Sequence, residues 1–229
     1  MAEVPPAWLH KLRGRLIVFD GPDGSGKTTQ CKRFAALVES AGVRVCHVRE
    51  PGGTAIGEQI RKVLLDPNNQ GMDLRCEMLL YMASRAQLAA ERIGPALAEG
   101  QFVLADRFVS STVAYQGAAG GLGIQDILSV AQVAIGDLRP DLTVIFDVDE
   151  KTAANRLSGT PRGRQASPLQ PTLFTDRMEH KGQAQHRAIR HSYLEQARND
   201  PDHHLVIDAS GDEQTVFDDL LRALEPRFD

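Results

Sequence analysis

The sequence predicts an α/β fold, a five-stranded parallel sheet flanked by helices, and two observations carry that expectation. Short apolar, β-branched runs alternate with stretches of helical spacing from residue 15 onward. Between the first run and the first helix stands a glycine-rich octapeptide, Gly21-Pro22-Asp23-Gly24-Ser25-Gly26-Lys27-Thr28. Strand, glycine loop and helix in that order is how an open parallel sheet with a ligand at its edge begins. At 229 residues the chain can bury one substantial core, whereas two full domains would be crowded. The expected organisation is a loose tail at 1–14 and one domain over 15–229, with a mobile insertion at about 156–177.

The octapeptide fits G-x-x-x-x-G-K-[ST], the phosphate-binding loop of ATP- and GTP-using proteins, so a P-loop kinase fold is expected. Glycines at 21, 24 and 26 let the backbone turn tightly and bring N–H groups near phosphate oxygens. The start of the following helix adds partial positive charge, and Lys27 adds a full one. Thr28 offers a hydroxyl to Mg²⁺, which takes oxygen ligands and keeps water and substrate phosphates among them. The whole stretch Gly21, Pro22, Asp23, Gly24, Ser25, Gly26, Lys27, Thr28 and Thr29 is therefore assigned to ATP.

The elements follow in order. Residues 15–20, RLIVFD, read as a buried strand, and 29–40 as a helix with Cys31, Phe34, Ala35, Leu37 and Val38 on one face. Gly42 closes that helix, and 43–48 alternates as a second strand. Its carboxyl end runs into Arg49-Glu50-Pro51-Gly52-Gly53-Thr54, which places Glu50 at the ligand crevice or in a plain turn. A short helix at 56–65 carries Arg61, and a long one spans 73–99 with a bend near Gly94-Pro95. On it Tyr81 and Arg85 share a face: either a ring that stacks on a base beside a guanidinium on its edge, or an ordinary buried stripe with a snorkelling arginine.

Residues 102–105 form a third strand ended by Asp106, where a P-loop fold places a carboxylate that organises Mg²⁺ through water, and Arg107 follows. Ser110, Ser111, Thr112, Tyr115 and Gln116 then supply hydroxyls and a carboxamide suited to a base or sugar, or merely a capped helix before the glycine loop 117–123. Helix 124–138, strand 141–147 and a helix from 151 to 157 come next. Residues 158–175 are rich in Pro, Gly, Gln, Ser and Thr and carry Arg162 and Arg164. As a lid their arginines would close on phosphates; as a disordered insertion they would do nothing. Helix 176–198, strand 204–208 and helix 213–224 complete the chain.

A net charge of −4 and a pI near 6.0 provide no basic face for a nucleic-acid duplex, so the expected nucleotides are small. Three cysteines in apolar segments, Cys31, Cys46 and Cys76, suit reduced buried thiols and a cytoplasmic protein better than a disulfide frame. Residues 1–13 lack the apolar core of a signal peptide or membrane anchor.

Five stretches in order and spacing give the chain a close resemblance to the thymidylate kinases. They are residues 19–29, 49–54, 79–85, Asp106-Arg107-Phe108 and Ala114-Tyr115-Gln116-Gly117. The resemblance implies phosphoryl transfer from ATP to dTMP with Mg²⁺, in a homodimer packed through long helices. It implies Asp23 near the deoxyribose 3′-hydroxyl, Arg61 and Arg107 on the acceptor phosphate, and Tyr81 in the place of the ring that stacks on thymine, where the family usually has Phe. Arg85 and Gln116 would read the base edge with a hydroxyl from Ser111 or Thr112, Tyr115 would crowd the sugar 2′ position, and Glu50 would border the same site. Thr28, Asp106 and Glu50 are the implied metal side, the last two through water.

The inner loop positions Pro22, Asp23, Gly24 and Ser25 hold no basic residue, which resembles the bacterial-type group whose lid supplies the catalytic arginine. Arg156, Arg162, Arg164 and Arg177 are candidates, with Arg162 or Arg164 preferred beside Lys27 and Asp106 as the catalytic set. The lid departs from the family in being longer and richer in proline. Another deoxynucleoside monophosphate kinase, or a P-loop switch protein, would share the phosphate loop but not the set Tyr81, Arg85 and Gln116.

Overall fold

Every residue of the first strand, β1 (Leu16–Asp20), is buried, because β1 lies in the middle of the sheet with helices on both sides. The computed structural model describes residues 5–158 and 182–228. Among them β1, β2 (Val45–Arg49), β3 (Phe102–Asp106), β4 (Leu142–Asp147) and β5 (His204–Asp208) form one parallel sheet in the order β2-β3-β1-β4-β5. Register pairs Phe19 and Arg49 with Asp106, and Asp20 with Ile145, so the carboxyl ends of the inner strands finish at one level. That common edge is where an open sheet places its ligands.

The two faces follow from the period of two along each strand. Ile17 and Phe19 pack with α1 (Lys27–Ser40) and α9 (Glu213–Phe228) through Phe34, Val38, Leu220 and Leu224. Phe19 meets Phe34 and Phe146 at ring-centre distances of 5.5 and 5.1 Å. Leu16 and Val18 face the other way, toward Leu88, Ile93 and Ala96 of α3 (Leu74–Leu88), a π-helical turn (Ala89–Ile93) and α4 (Gly94–Ala98). The helix expected over 73–99 is thus interrupted by the π turn just before Gly94-Pro95. Helix α2 (Ala55–Leu65) packs beside α3, capped by a 2.9 Å bond from Gly57 N–H to the Thr54 hydroxyl.

After β3 come α5 (Val109–Thr112), a second π-helical turn (Val113–Ala119) and α6 (Ile124–Ile135). Helix α6 ends three residues short of the expected 138, at Gly136, whose φ of 58° breaks the helical path. Helix α7 (Glu150–Ser158) precedes the undescribed stretch, and α8 (Gly182–Asn199) covers β4 and β5 on the α3 side.

Two expectations are corrected. The loose tail is, from Ala7 to Leu12, a 3-10 helix with Trp8, Leu9 and Leu12 buried. Three apolar residues are too few to announce a helix, and their partners are Phe34 and Phe228, the latter at the opposite end of the chain. Cys76 is exposed, while Cys31 and Cys46 are buried as expected. It falls on the outer face of α3, which periodicity near a helix start does not distinguish from the inner one.

Candidate active site

The phosphate loop leaves β1 at Asp20 and enters α1 at Lys27. Its shape needs glycine at two points in particular. Gly21 has φ 142°, and a Cβ there would meet the Phe146 carbonyl oxygen at 2.5 Å; Gly24 has φ 79°, and its Cβ would meet the Ala153 carbonyl oxygen at 2.7 Å. Gly26 caps α1 in the left-handed region without a side-chain bond, so the first N–H groups of α1 remain for an anion. Lys27 is buried beside them, 3.4 Å from the Pro22 carbonyl oxygen and 3.7 Å from Asp23 Oδ1. Burial, then the nearby Arg107 charge, pull the Lys27 ammonium below its usual range.

Thr28 donates a 2.6 Å hydrogen bond to Asp106 Oδ2, which joins the two oxygens expected on the metal side. A hydroxyl and a carboxylate at the mouth of a phosphate loop fit Mg²⁺, whose remaining ligands come from phosphates and water. Among the described residues no cluster of three His, Cys, Asp or Glu side chains is arranged to hold an ion without such help. Glu50 is committed elsewhere: its Oε2 accepts from Arg85 Nε at 2.8 Å and pairs with the same guanidinium through its NH2. Its Oε1 is buried with no hydrogen-bond partner, and burial raises this carboxyl above the ordinary range.

A second seat, built on the guanidinium of Arg107, faces the loop. Arg107 is the one non-glycine residue with a left-handed backbone among those described, φ 76°, and this turns its guanidinium back over β1. It ion-pairs with Asp23 and lies 3.5 Å from Asp20 Oδ1, with Ser111 Oγ at 3.0 Å and the Tyr115 and Tyr193 hydroxyls at 3.4 Å. Asp20, wholly buried, accepts from Ser110 Oγ at 2.6 Å, Ser111 Oγ and Tyr193 OH at 2.7 Å, and Gly21 N–H at 2.9 Å. Burial pushes the phenols of Tyr115 and Tyr193 up, so they stay neutral donors. Arg61, carried in by α2, is buried and donates to the Pro51 carbonyl oxygen at 2.9 Å. Burial and then Arg49 bring its pKa down to about 10.

Beyond this seat, Tyr81 is half-buried on α3, and burial pushes its phenol up. Arg85 is among the most enclosed side chains. Its donors go to Glu50, the Phe108 carbonyl at 2.9 Å, Thr112 Oγ1 at 3.2 Å and Met82 Sδ at 3.0 Å. The thioether is the weakest of these acceptors and the easiest for a base carbonyl to replace. Gln116 donates from Nε2 to Glu77 Oε1 at 2.8 Å. Of the two hydroxyls expected near the base, Thr112 stands with Arg85, whereas Ser111 belongs to the Asp20 nest.

On the donor side Arg156 spans from the loop to the segment after β5, donating to the carbonyls of Gly24 at 3.3 Å, Ala209 at 2.8 Å and Gly211 at 2.7 Å. A cavity of about 250 Å³ opens beside it, bounded by Ser25, Thr29, Gln30 and Gly211. Arg162, Arg164 and Arg177 lie outside the described residues.

The structure thus brings Asp23, Lys27, Thr28, Asp106 and Arg107 together, and it joins Arg85 to Thr112 and Gln116 to Glu77 on either side of Tyr81 along α3. Sequence reasoning missed Asp20, Glu77 and Tyr193, and it considered Ser110 for a base or sugar where the structure gives its hydroxyl to Asp20. Asp20 could have been found, since a charged residue closing an apolar strand before the glycine loop needs buried partners. Tyr193 carried no signal, being separated from Asp20 by 173 positions.

Fold and site define a P-loop phosphotransferase with Arg107 held against Asp20 and Asp23 beside the loop. The family model for thymidylate kinase matches residues 19–220. The thymidylate kinase of Pseudomonas syringae pv. syringae is 42% identical over 216 residues, 93% of this chain and 97% of that one. That of Bacillus velezensis is 39% identical over 214 residues, 93% and 96% of the two chains. The crystal structure of thymidylate kinase from Ehrlichia chaffeensis superimposes with a TM-score of 0.71 at 28% identity, covering 92% of this chain and 98% of that one. The chain belongs to the thymidylate kinase family.

Proposed function

We propose that the protein transfers the γ-phosphoryl group of ATP to the 5′-phosphate of dTMP, giving dTDP and ADP. The observation that carries this reading is the double use of Asp23: one carboxylate pairs with Arg107 of the acceptor seat and stands 3.7 Å from Lys27 of the donor loop. Two anion sites sharing a carboxylate suit a reaction in which two polyanions must be held in line. ATP lies along residues 21–29, with its phosphates on the free N–H groups of α1 and its base toward the cavity beside Arg156. The dTMP phosphate lies between Arg61 and Arg107, and its base rests on Tyr81 with its edge toward Arg85, Thr112 and Gln116. Tyr115 narrows the sugar side.

Thr28 and Asp106 would hold Mg²⁺ together with the donor phosphates, and the ion would supply electrostatic stabilisation of phosphoryl oxygens. Lys27 follows the charge that develops on the transferring group, and Asp23 bridges Lys27 and Arg107 until substrate phosphates take its place. The positive charge expected from Arg162 and Arg164 rests on the sequence.

The working unit is a homodimer. Helices α2, α3 and α6 lie side by side, and their outer surface exposes Ile56, Val63, Leu79 and Val133, the last with 87% of its surface in solvent. A second copy would cover this layer, and sedimentation of the purified chain tests it. Reduced free cysteines support a cytoplasmic setting, and among the described residues no helix is long and apolar enough to cross a membrane.

The deciding experiment is a coupled assay of ADP release with dTMP, dUMP, dCMP and dGMP. Stimulation by dTMP above all others is the expected result; ATP turnover indifferent to every acceptor overturns the reading.

A further inference from the structure

Two cross-links tie α3 to the segment after β3, and Tyr81 lies between them on α3. One is Arg85 to Thr112 at 3.2 Å; the other, a turn before Tyr81, is the 2.8 Å bond from Gln116 Nε2 to Glu77 Oε1. Glu77 and Gln116 are both buried, at 5% and 2% exposure, where polar groups adopt the orientation that satisfies them. The direction of the second bond follows from chemistry alone. A carboxylate only accepts, so the carboxamide turns its NH2 group to Glu77 and keeps its carbonyl oxygen for whatever else approaches.

We propose that Glu77 is a positioning residue that selects thymine over cytosine, by fixing the Gln116 carboxamide so that it offers the base an acceptor and not a donor. The proposal rests on dTMP being the acceptor substrate with its base on Tyr81. Thymine carries N3–H, a donor, where cytosine carries a bare N3 lone pair, an acceptor. A glutamine without a fixed neighbour rotates by half a turn and serves either base. Held by Glu77, Gln116 meets thymine N3–H with oxygen and sets oxygen against the lone pair of cytosine. Rejection of this kind is strong, because a mismatched polar pair in a dry site has no water to turn to.

The test is the ratio of kcat/KM for dTMP to that for dCMP in the unaltered protein and in Glu77→Gln. A glutamine at 77 presents either N–H or oxygen, which frees the Gln116 amide to turn. The ratio is expected to fall by about tenfold or more, with the KM for ATP as the control for an intact donor site. An unchanged ratio in a variant that still uses dTMP overturns the proposal, and a merely structural Glu77 would leave the ratio where it was. Should Glu77→Gln fail to fold, the unaltered protein answers with N3-methyl-dTMP as a competitor against dTMP. Binding about tenfold weaker than dTMP is expected, and equal binding overturns the proposal. If the unaltered protein does not use dTMP at all, it is the underlying activity that fails, which the first measurement of the series reveals.

Discussion

The hydroxyl of Thr28 and Oδ2 of Asp106 are 2.6 Å apart, a hydrogen bond between the start of α1 and the end of β3. It brings together, before any phosphate arrives, the two oxygens proposed for the metal side. Thr28→Val keeps the shape and removes the hydroxyl. The Mg²⁺ concentration for half-maximal turnover should rise by about ten- to hundredfold, read from a metal titration at saturating ATP. No change would take Thr28 off the metal side.

Lys27 is held in a buried pocket of mixed charge, so its loss removes the one full positive charge of the loop. Lys27→Ala should lower turnover by about a thousandfold or more, with an unchanged circular dichroism spectrum. The direction of its pKa adds a second measurement. Because burial and Arg107 lower it, the ammonium of the free protein neutralises at a pH below its usual 10.5, and grip on phosphate weakens as pH rises. The alkaline limb of kcat/KM for ATP should therefore fall below that value. A limb at or above it would show that the lysine is not desolvated in solution.

Tyr81 is the ring between the two cross-links of α3. Tyr81→Ala should raise the KM for dTMP by about tenfold or more, at the 1–3 kcal/mol scale of base stacking, and leave the KM for ATP nearly unchanged. Equal effects on both substrates would count against the ring as the floor of the acceptor site.

Asp20 accepts hydrogen bonds from four groups and lies against Arg107 in a fully buried position. Asp20→Ala strands these donors and removes one of the two carboxylates beside Arg107; Asp23 stays. The expected loss is about 3 kcal/mol, seen as a lower urea midpoint. Activity lost with stability intact would assign Asp20 to substrate and not to the seating of Arg107.

Trp8 stacks at 6.4 Å on Phe34 and at 6.3 Å on Phe228, closing the core where the two ends of the chain meet. Trp8→Ala should cost about 3 kcal/mol in denaturant unfolding. A change below about 1 kcal/mol would mean that the first turn does not pack in solution.

How far the sequence could be read varies by element, for physical reasons. β1 and β3 were legible nearly to the residue, because a strand buried on both faces must be apolar throughout and can be little else. β5, a half-exposed edge strand, was legible to the residue through its apolar run Leu205-Val206-Ile207. The Ala7–Leu12 turn was not legible, since its apolar residues gain meaning only from Phe34 and Phe228. Nor was the π turn over Ala89–Ile93, which changes backbone hydrogen bonding without changing the pattern of apolar side chains.

By itself the sequence determined the donor half of this protein, from Gly21 to Thr29, because a phosphate cradle is made of consecutive backbone N–H groups and local glycine geometry. It also named most of the residues proposed for the acceptor half, through residue types at family spacing. Only the tertiary structure decided which of those side chains touch: Ser111 with Asp20 and not with the base wall, Glu50 with Arg85 and not with Thr28, Gln116 with a Glu77 that no motif had marked. Hydrogen bonds between side chains on different elements depend on how helices and strands are packed, and packing is a property of the whole chain. Tyr193 on α8, joined to Asp20 on β1 at 2.7 Å, is the clearest case.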